Sequence, residues 1–425
     1  MQNLSLTNID SHLTRLTARC DRPGDTQQKI IWMALFVPGL HGRRGLPYVL
    51  VSQPGTVKTS TIRLLNEWAG LPFWPVLGSI RSPLDYMGCP IPQKMRLGSL
   101  DTHLMPPDGS DELTYMHYAP AGFGLRAALA GRGTILFDEV GAMQPSVQQA
   151  MLRVAHEGVV GELELPPNIR MLFATNEVQD TPGGWEVAPA LANRFGWLEW
   201  EGSTVERFCD YLAASGGRMP KPKPLVDPRE EEAKVDAMWD KAWGYSTMFL
   251  SGFLRSVAGN TLFHDYPRSA GAAARAWPSS RTWDFFAHAL AGSFIYNLSQ
   301  TERMMACAAW VGEGAWTKFA AWATDADLPD PAHLLDGKVH FSHEAARLDR
   351  TAAVLSGCLA FVLPQSVDRR DDRVKALWQL IDKLPEDALD LSAPVCDQLT
   401  RHNLLKGDVA YMQLAKHNPL FEAGA

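Results

Sequence analysis

Two short stretches hold residues whose types and spacing could act on a phosphate. The first is "SQPGTVKTS", Ser52 to Ser60. A phosphate cradle needs backbone N–H groups converging on an anion, a tight turn, a cation and a hydroxyl for a divalent metal. Gly55 can supply the turn, Lys58 the charge and Thr59 the hydroxyl, with Gln53, Pro54, Thr56, Val57 and Ser60 completing the loop. The second stretch is "GTILFDEV", in which an apolar run ends in Asp138 and Glu139. Carboxylates at the end of a buried strand are costly unless they do something. Asp138 suits holding Mg²⁺, and Glu139 suits polarising an attacking water as general base. Each signal is weak alone, and in this order they reinforce each other.

The loop departs from G-x-x-x-x-G-K-[ST] at both outer glycines: Ser52 stands at the first and Val57 at the second. At Ser52 the cost turns on the backbone. With φ negative serine costs little; with φ positive the strain is about 1–2 kcal/mol, enough to weaken binding about tenfold.

These residues need elements to position them. Five buried strands are expected at Tyr48–Val51, Phe73–Leu77, Thr134–Phe137, Arg170–Ala174 and Trp197–Trp200. Helical patterns alternate with them, which reads as an α/β fold with a largely parallel sheet. Pro145–Glu157 presents Val147, Ala150, Met151 and Val154 on one face, with Pro145 in the first turn and Gly158 at its stop. "VVGELELPP" alternates with period two and reads as a small hairpin. After Trp200 the pattern turns helical, opening on the capping box Ser203–Glu206. The expected division is a nucleotide-binding core with an N-terminal helical segment over 1–201, a helical lid over 202–328 and a helical C-terminal extension over 329–425.

Composition narrows the classes. A chain of 425 residues is too long for one ordinary core. A hydrophobic content of 46% with 20% charged residues fits a soluble globular protein. The net charge of −7 argues against a surface built to neutralise phosphates, so nucleic acid is disfavoured as the main partner. Six cysteines (Cys20, Cys89, Cys209, Cys307, Cys358 and Cys396) lie far apart, which argues against a disulfide scaffold. The N-terminus is polar without a basic-then-apolar signal, and no apolar run of about twenty residues exists. A cytoplasmic protein without a membrane span is expected.

The order "SQPGTVKTS", "ILFDEVGAMQPSVQQAMLRVAHEG", "FATNEV", "LANRFG" resembles an AAA+ ATPase of the MoxR group, relatives of the magnesium-chelatase ATPase subunit, over roughly residues 30–330. The resemblance implies a P-loop NTPase α/β/α core with an all-helical lid, and Mg²⁺-ATP as the substrate pair. It gives Asn176 the task of orienting the water and sensing the γ-phosphate. It makes Arg194 the arginine finger offered to a neighbouring subunit, although Asn193 replaces the acidic residue common there. It makes Arg281, in "WPSSRTWDFFAHAL", the lid arginine, with Arg268 and Arg275 competing for that role. Relatives commonly carry a small residue where Val57 sits, so that departure reads as mild. The resemblance further implies a ring homo-oligomer, expected as a hexamer, a von Willebrand factor A-domain partner and a remodelled protein client. Two alternatives stay open: a nucleotide-gated scaffold with marginal hydrolysis, and a GTP-using nucleic-acid motor.

Other features carry less. His340 and His343 in "HFSH" have no third ligand at helical spacing and read as loop histidines. Trp239/Trp243, Trp310, Trp316 and Trp322 read as helix-packing residues, and "REEEAKVD" as a solvated helix start. Asp85–Gly124 is long for a strand-to-helix link and holds Met87, Tyr115, Met116, Tyr118 and Phe123. MoxR-type proteins insert a helix or hairpin hereabouts, facing the ring axis. Pro120–Gly124 lies either near such an insert or in an ordinary surface loop.

Overall fold

In the computed structural model, residues 4–6, 24–96, 112–180, 184–215, 223–364, 370–402 and 404 are described. Cys20, the middle of Asp85–Gly124 and the last residues of the C-terminal extension lie outside them.

Nine strands occur among the described residues: β1 (Tyr48–Ser52), β2 (Phe73–Leu77), β3 (Cys89–Arg96), β4 (Glu112–Ala119), β5 (Gly133–Asp138), β6 (Val159–Val160), β7 (Leu163–Glu164), β8 (Ile169–Asn176) and β9 (Gly196–Glu199). Five of them form one sheet in the order β2-β5-β8-β1-β9, with every neighbouring pair parallel. These are the five strands expected from the sequence, each end within two residues. Parallel strands covered on both faces need apolar side chains throughout, and all five residues of β1 are buried. On one side, Phe137 and Phe173 stack at 5.3 Å and Phe173 meets Phe195 at 4.1 Å, so an aromatic seam runs from β5 across β8 to the bend before β9. The helix Pro145–Glu157 packs Val147, Met151 and Val154 into the same core, and ends at Gly158 with φ 68°. β6 and β7 pair antiparallel as the expected small hairpin.

The long link before β5 is an antiparallel hairpin, β3 with β4, in register from Cys89–Ala119 to Arg96–Glu112. Met87, Tyr115, Met116 and Tyr118 are exposed on or beside it. Phe123 is not. It opens the helix Gly122–Ala130, is 3% exposed, and packs edge-on to Phe137 at 5.9 Å. The expectation that Pro120–Gly124 is a surface or pore-side segment is therefore corrected at Phe123, whose ring belongs to the core under the sheet.

The chain divides into two compact units. One is Pro38–Pro228 with Arg268–Ala276, which carries the sheet; the other is Met1–Val37, Arg229–Pro267 and Trp277–Ala425. Among the described residues, the second unit is helical, with no strand after β9. Its helix Ser280–Ile295 starts on a capping box of Ser279 with Thr282 and buries Trp283, Phe285, Phe286 and Leu290, as the sequence pattern implies. Trp310 and Trp316 are buried in the same unit, and the Trp322 indole donates to Asp349. Among the described residues no helix is long and apolar enough to cross a membrane, and no three or more His, Cys, Asp or Glu side chains are grouped as a metal would need. That leaves His340 and His343 as loop residues, with His343 bonded to Thr351 at 2.9 Å.

Candidate functional site

β1 lies between β8 and β9, while the chain leaves β1 for β2 at the far edge and returns from β8 to β9 across it. The direction of connection therefore reverses at β1. In open parallel sheets the crevice outside the strand C-termini at such a point is where ligands bind. Residues 52–60, Asp138–Glu139 and Asn176 all stand at those C-termini.

The loop after β1 hands the chain to the helix Lys58–Trp68, whose N-cap, Val57, makes no side-chain cap bond. Its first-turn N–H groups thus receive no bond from the N-cap side chain, an arrangement an anion can use. Gly55 turns the loop with φ 83° and nothing near its missing Cβ. Gln53, Pro54 and Gly55 are exposed, Thr56 and Thr59 half-buried, and Ser60 exposed on the helix. The Trp200 indole donates to the Thr56 carbonyl at 3.2 Å and ties the loop to the chain end of β9.

The backbone strain lies at a different residue from the one the sequence drew attention to. Ser52 has ordinary extended backbone, whereas Val57 sits at φ 55°, ψ 25° in the left-handed region. A β-branched residue there costs about 1–2 kcal/mol. The side chain is 51% exposed, so it is the backbone and not the space that is unfavourable. Val57 is thus the more consequential departure from glycine.

Lys58 is 8% exposed. Its ammonium donates to Ser52 Oγ at 2.6 Å, Asn176 Oδ1 at 2.9 Å, the Gln53 carbonyl at 3.3 Å and the Ser52 carbonyl at 3.5 Å. Burial holds its pKa below the usual lysine value, and the carboxylates of Asp138 and Glu177 offset part of that. Thr59 donates its hydroxyl to Asp138 Oδ2 at 2.5 Å, while Asp138 Oδ1 accepts the Glu139 N–H at 2.9 Å. One carboxylate therefore joins the loop hydroxyl to the residue expected to act as base. Glu139 itself has φ 60°, a second strained backbone. Such outliers cluster at functional sites.

The contacts bring together Ser52, Gln53, Thr56, Lys58, Thr59, Asp138, Glu139 and Asn176. Arg194 follows the short helix Pro189–Ala192 and donates back to the Ala190 carbonyl. Arg281 lies in the first turn of Ser280–Ile295, in the helical unit. Arg275 instead belongs to the sheet unit. Its guanidinium pairs with Glu177 and lies 4.9 Å over the Trp197 ring.

Two residues of this site were not singled out from the sequence. Thr175 Oγ1 accepts the Gly141 N–H at 3.0 Å and so pins the turn that follows Glu139 to β8. Glu177 pairs with Arg275 and acts electrostatically on Lys58. Both flank Asn176 in "FATNEV", and that adjacency was the only local signal.

No family model and no curated protein matches this chain. Among the solved structures it resembles is one of a candidate ATPase from Cytophaga hutchinsonii, at 14% identity and a TM-score of 0.40, spanning 74% of this chain and 83% of that one. A likeness that distant does not bear on what this chain binds or does.

Proposed function

We propose that this protein is an ATPase, binding Mg²⁺-ATP over Gln53–Ser60 and hydrolysing it. The observation that carries the proposal is the convergence of Lys58, Thr59, Asp138 and Asn176 at neighbouring strand ends, with Thr59 bonded to Asp138 and Lys58 to Asn176. The residues fit the ligand: a desolvated ammonium and uncapped helix N–H groups for phosphate, and a hydroxyl beside a carboxylate for the metal. Bound Mg²⁺ would supply charge neutralisation, and Thr59 and Asp138 would hold it. Glu139 would take the proton of the attacking water, and Asn176 would orient that water. Arg194 in the role of finger, and Arg281 in the role of lid arginine, belong to the same proposal. So do the lid and docking roles of 202–328 and 329–425. Arg275 is the second reading for the lid arginine, favoured by its pairing with Glu177, next to Asn176.

The ring assembly, the A-domain partner, the protein client and a cytoplasmic location rest on the resemblance in motif order. Steady-state release of phosphate tests the proposal: the protein should turn over ATP with Mg²⁺, and DNA should not stimulate it. A GTP preference with stimulation by DNA would favour the nucleic-acid motor instead.

Lys58 adds a pH dependence. Its pKa in the loop lies below the usual value of about 10.4, and a bound phosphate would favour the charged form. Nucleotide affinity should therefore fall as the pH rises towards that range, before an ordinary lysine would titrate. Binding titrations between about pH 7 and pH 10, with Lys58→Arg as the pH-independent comparison, check this.

A further inference from the structure

A glycine is required at the first position of a phosphate loop where the backbone turns left-handed or where no Cβ fits. Ser52 meets neither condition, since it ends β1 in extended backbone, in register with Asn176. What serine adds there is its hydroxyl. Ser52 is 8% exposed, and its Oγ takes the shortest bond the Lys58 ammonium makes, at 2.6 Å. An ammonium has three N–H groups, and the acceptors at Ser52, Gln53 and Asn176 match them in number. Ser52 Oγ is also 2.5 Å from Thr56 Oγ1, and Thr56 donates to the Gln53 carbonyl at 3.0 Å. Lys58 donates to Ser52, and the Ser52 hydroxyl has two acceptors of its own, Thr56 Oγ1 and the Gln53 carbonyl at 3.1 Å.

We propose that Ser52 sets nucleotide affinity by holding Lys58, its hydroxyl standing where a phosphate oxygen would otherwise accept from the ammonium. The inference rests on reading the loop as a nucleotide site. A phosphate oxygen carries charge and outcompetes a neutral hydroxyl. When it does, Ser52 keeps its contacts to Thr56 and the Gln53 carbonyl, so the contact opens without leaving a buried hydroxyl unpaired. Binding therefore replaces a bond in place of adding one, and affinity is lower than the loop would have with a bare residue at this position. Ser52 acts through Lys58 and is a positioning residue.

Calorimetric titration of the full chain with Mg²⁺ and a non-hydrolysable ATP analogue tests this. Ser52→Ala and Ser52→Gly should bind about tenfold tighter, the factor expected for one hydrogen bond to a charged group. Ser52→Thr, which restores the hydroxyl, should return the affinity towards wild type. The ligand-free melting temperature of Ser52→Ala should fall while its rise at saturating ligand grows. A loop that was merely loosened would lower both. Equal or weaker binding by Ser52→Ala and Ser52→Gly overturns the proposal. Lys58→Ala separates the two levels: if it binds as wild type does, the nucleotide-site reading itself fails. If it loses binding while Ser52→Ala matches wild type, only the role of Ser52 fails.

Discussion

Glu139→Gln should lower ATP turnover by about 10²–10⁴-fold, the usual contribution of a positioned general base, and leave nucleotide binding in place. Glutamine keeps the length and the shape of the side chain, so it keeps the left-handed backbone at φ 60° and the N–H bond to Asp138. It cannot accept the proton of the attacking water. Thr59 keeps its bond to Asp138 and Lys58 its bond to Asn176, so the loop should bind Mg²⁺-ATP as before. Single-turnover hydrolysis and a binding titration on the same preparation check both halves. Turnover near the wild-type rate would show that another group moves the proton. Turnover at background in both proteins would favour the nucleotide-gated scaffold.

Phe123→Ala should cost about 3–5 kcal/mol of stability, the range for emptying a large aromatic site in a packed core. The ring lies 5.9 Å from Phe137 and 6.3 Å from Tyr86, and the Arg81 guanidinium stands 5.9 Å over it. Phe137 immediately precedes Asp138, so the cavity would open against the strand that carries the residue bonded to Thr59. A denaturant titration reads the effect as a lower midpoint at unchanged slope. If Phe123 instead lined a ring axis on a surface insert, stability would move by no more than about 0.5 kcal/mol. The two readings differ too widely for one melt to leave them unresolved.

The prolines of β3 explain why this hairpin was hard to read from sequence. Pro90 and Pro92 break the pattern of a central strand, yet they stand two apart and pair with Tyr118 and Met116. In a two-stranded ladder, alternate N–H groups point away from the partner, so prolines spaced by two can occupy outward positions and leave the ladder intact. Neither strand buries a face in the way β1 does, so the alternation that marks a half-buried strand is weak.

Sequence alone determined the five-stranded parallel sheet, the helix Pro145–Glu157 and which residues are proposed for the site. Those follow from local rules: continuous apolar runs where both faces are covered, proline and glycine at helix ends, and charged residues at strand ends. Tertiary structure decided what those residues touch and which of them is strained. The Lys58 partners include Asn176, 118 positions away, and the Glu177 partner is Arg275, 98 positions away. Such contacts depend on the register of β1 against β8 and on the chain's return through Arg268–Ala276, neither of which a local pattern encodes. The same holds for the phosphate loop's two missing glycines. Their residue types were plain in the sequence, but the sign of φ was not. The fold places Val57 in the left-handed region and Ser52 in the strand, because β1 runs straight through Ser52 and the chain turns between Pro54 and Lys58.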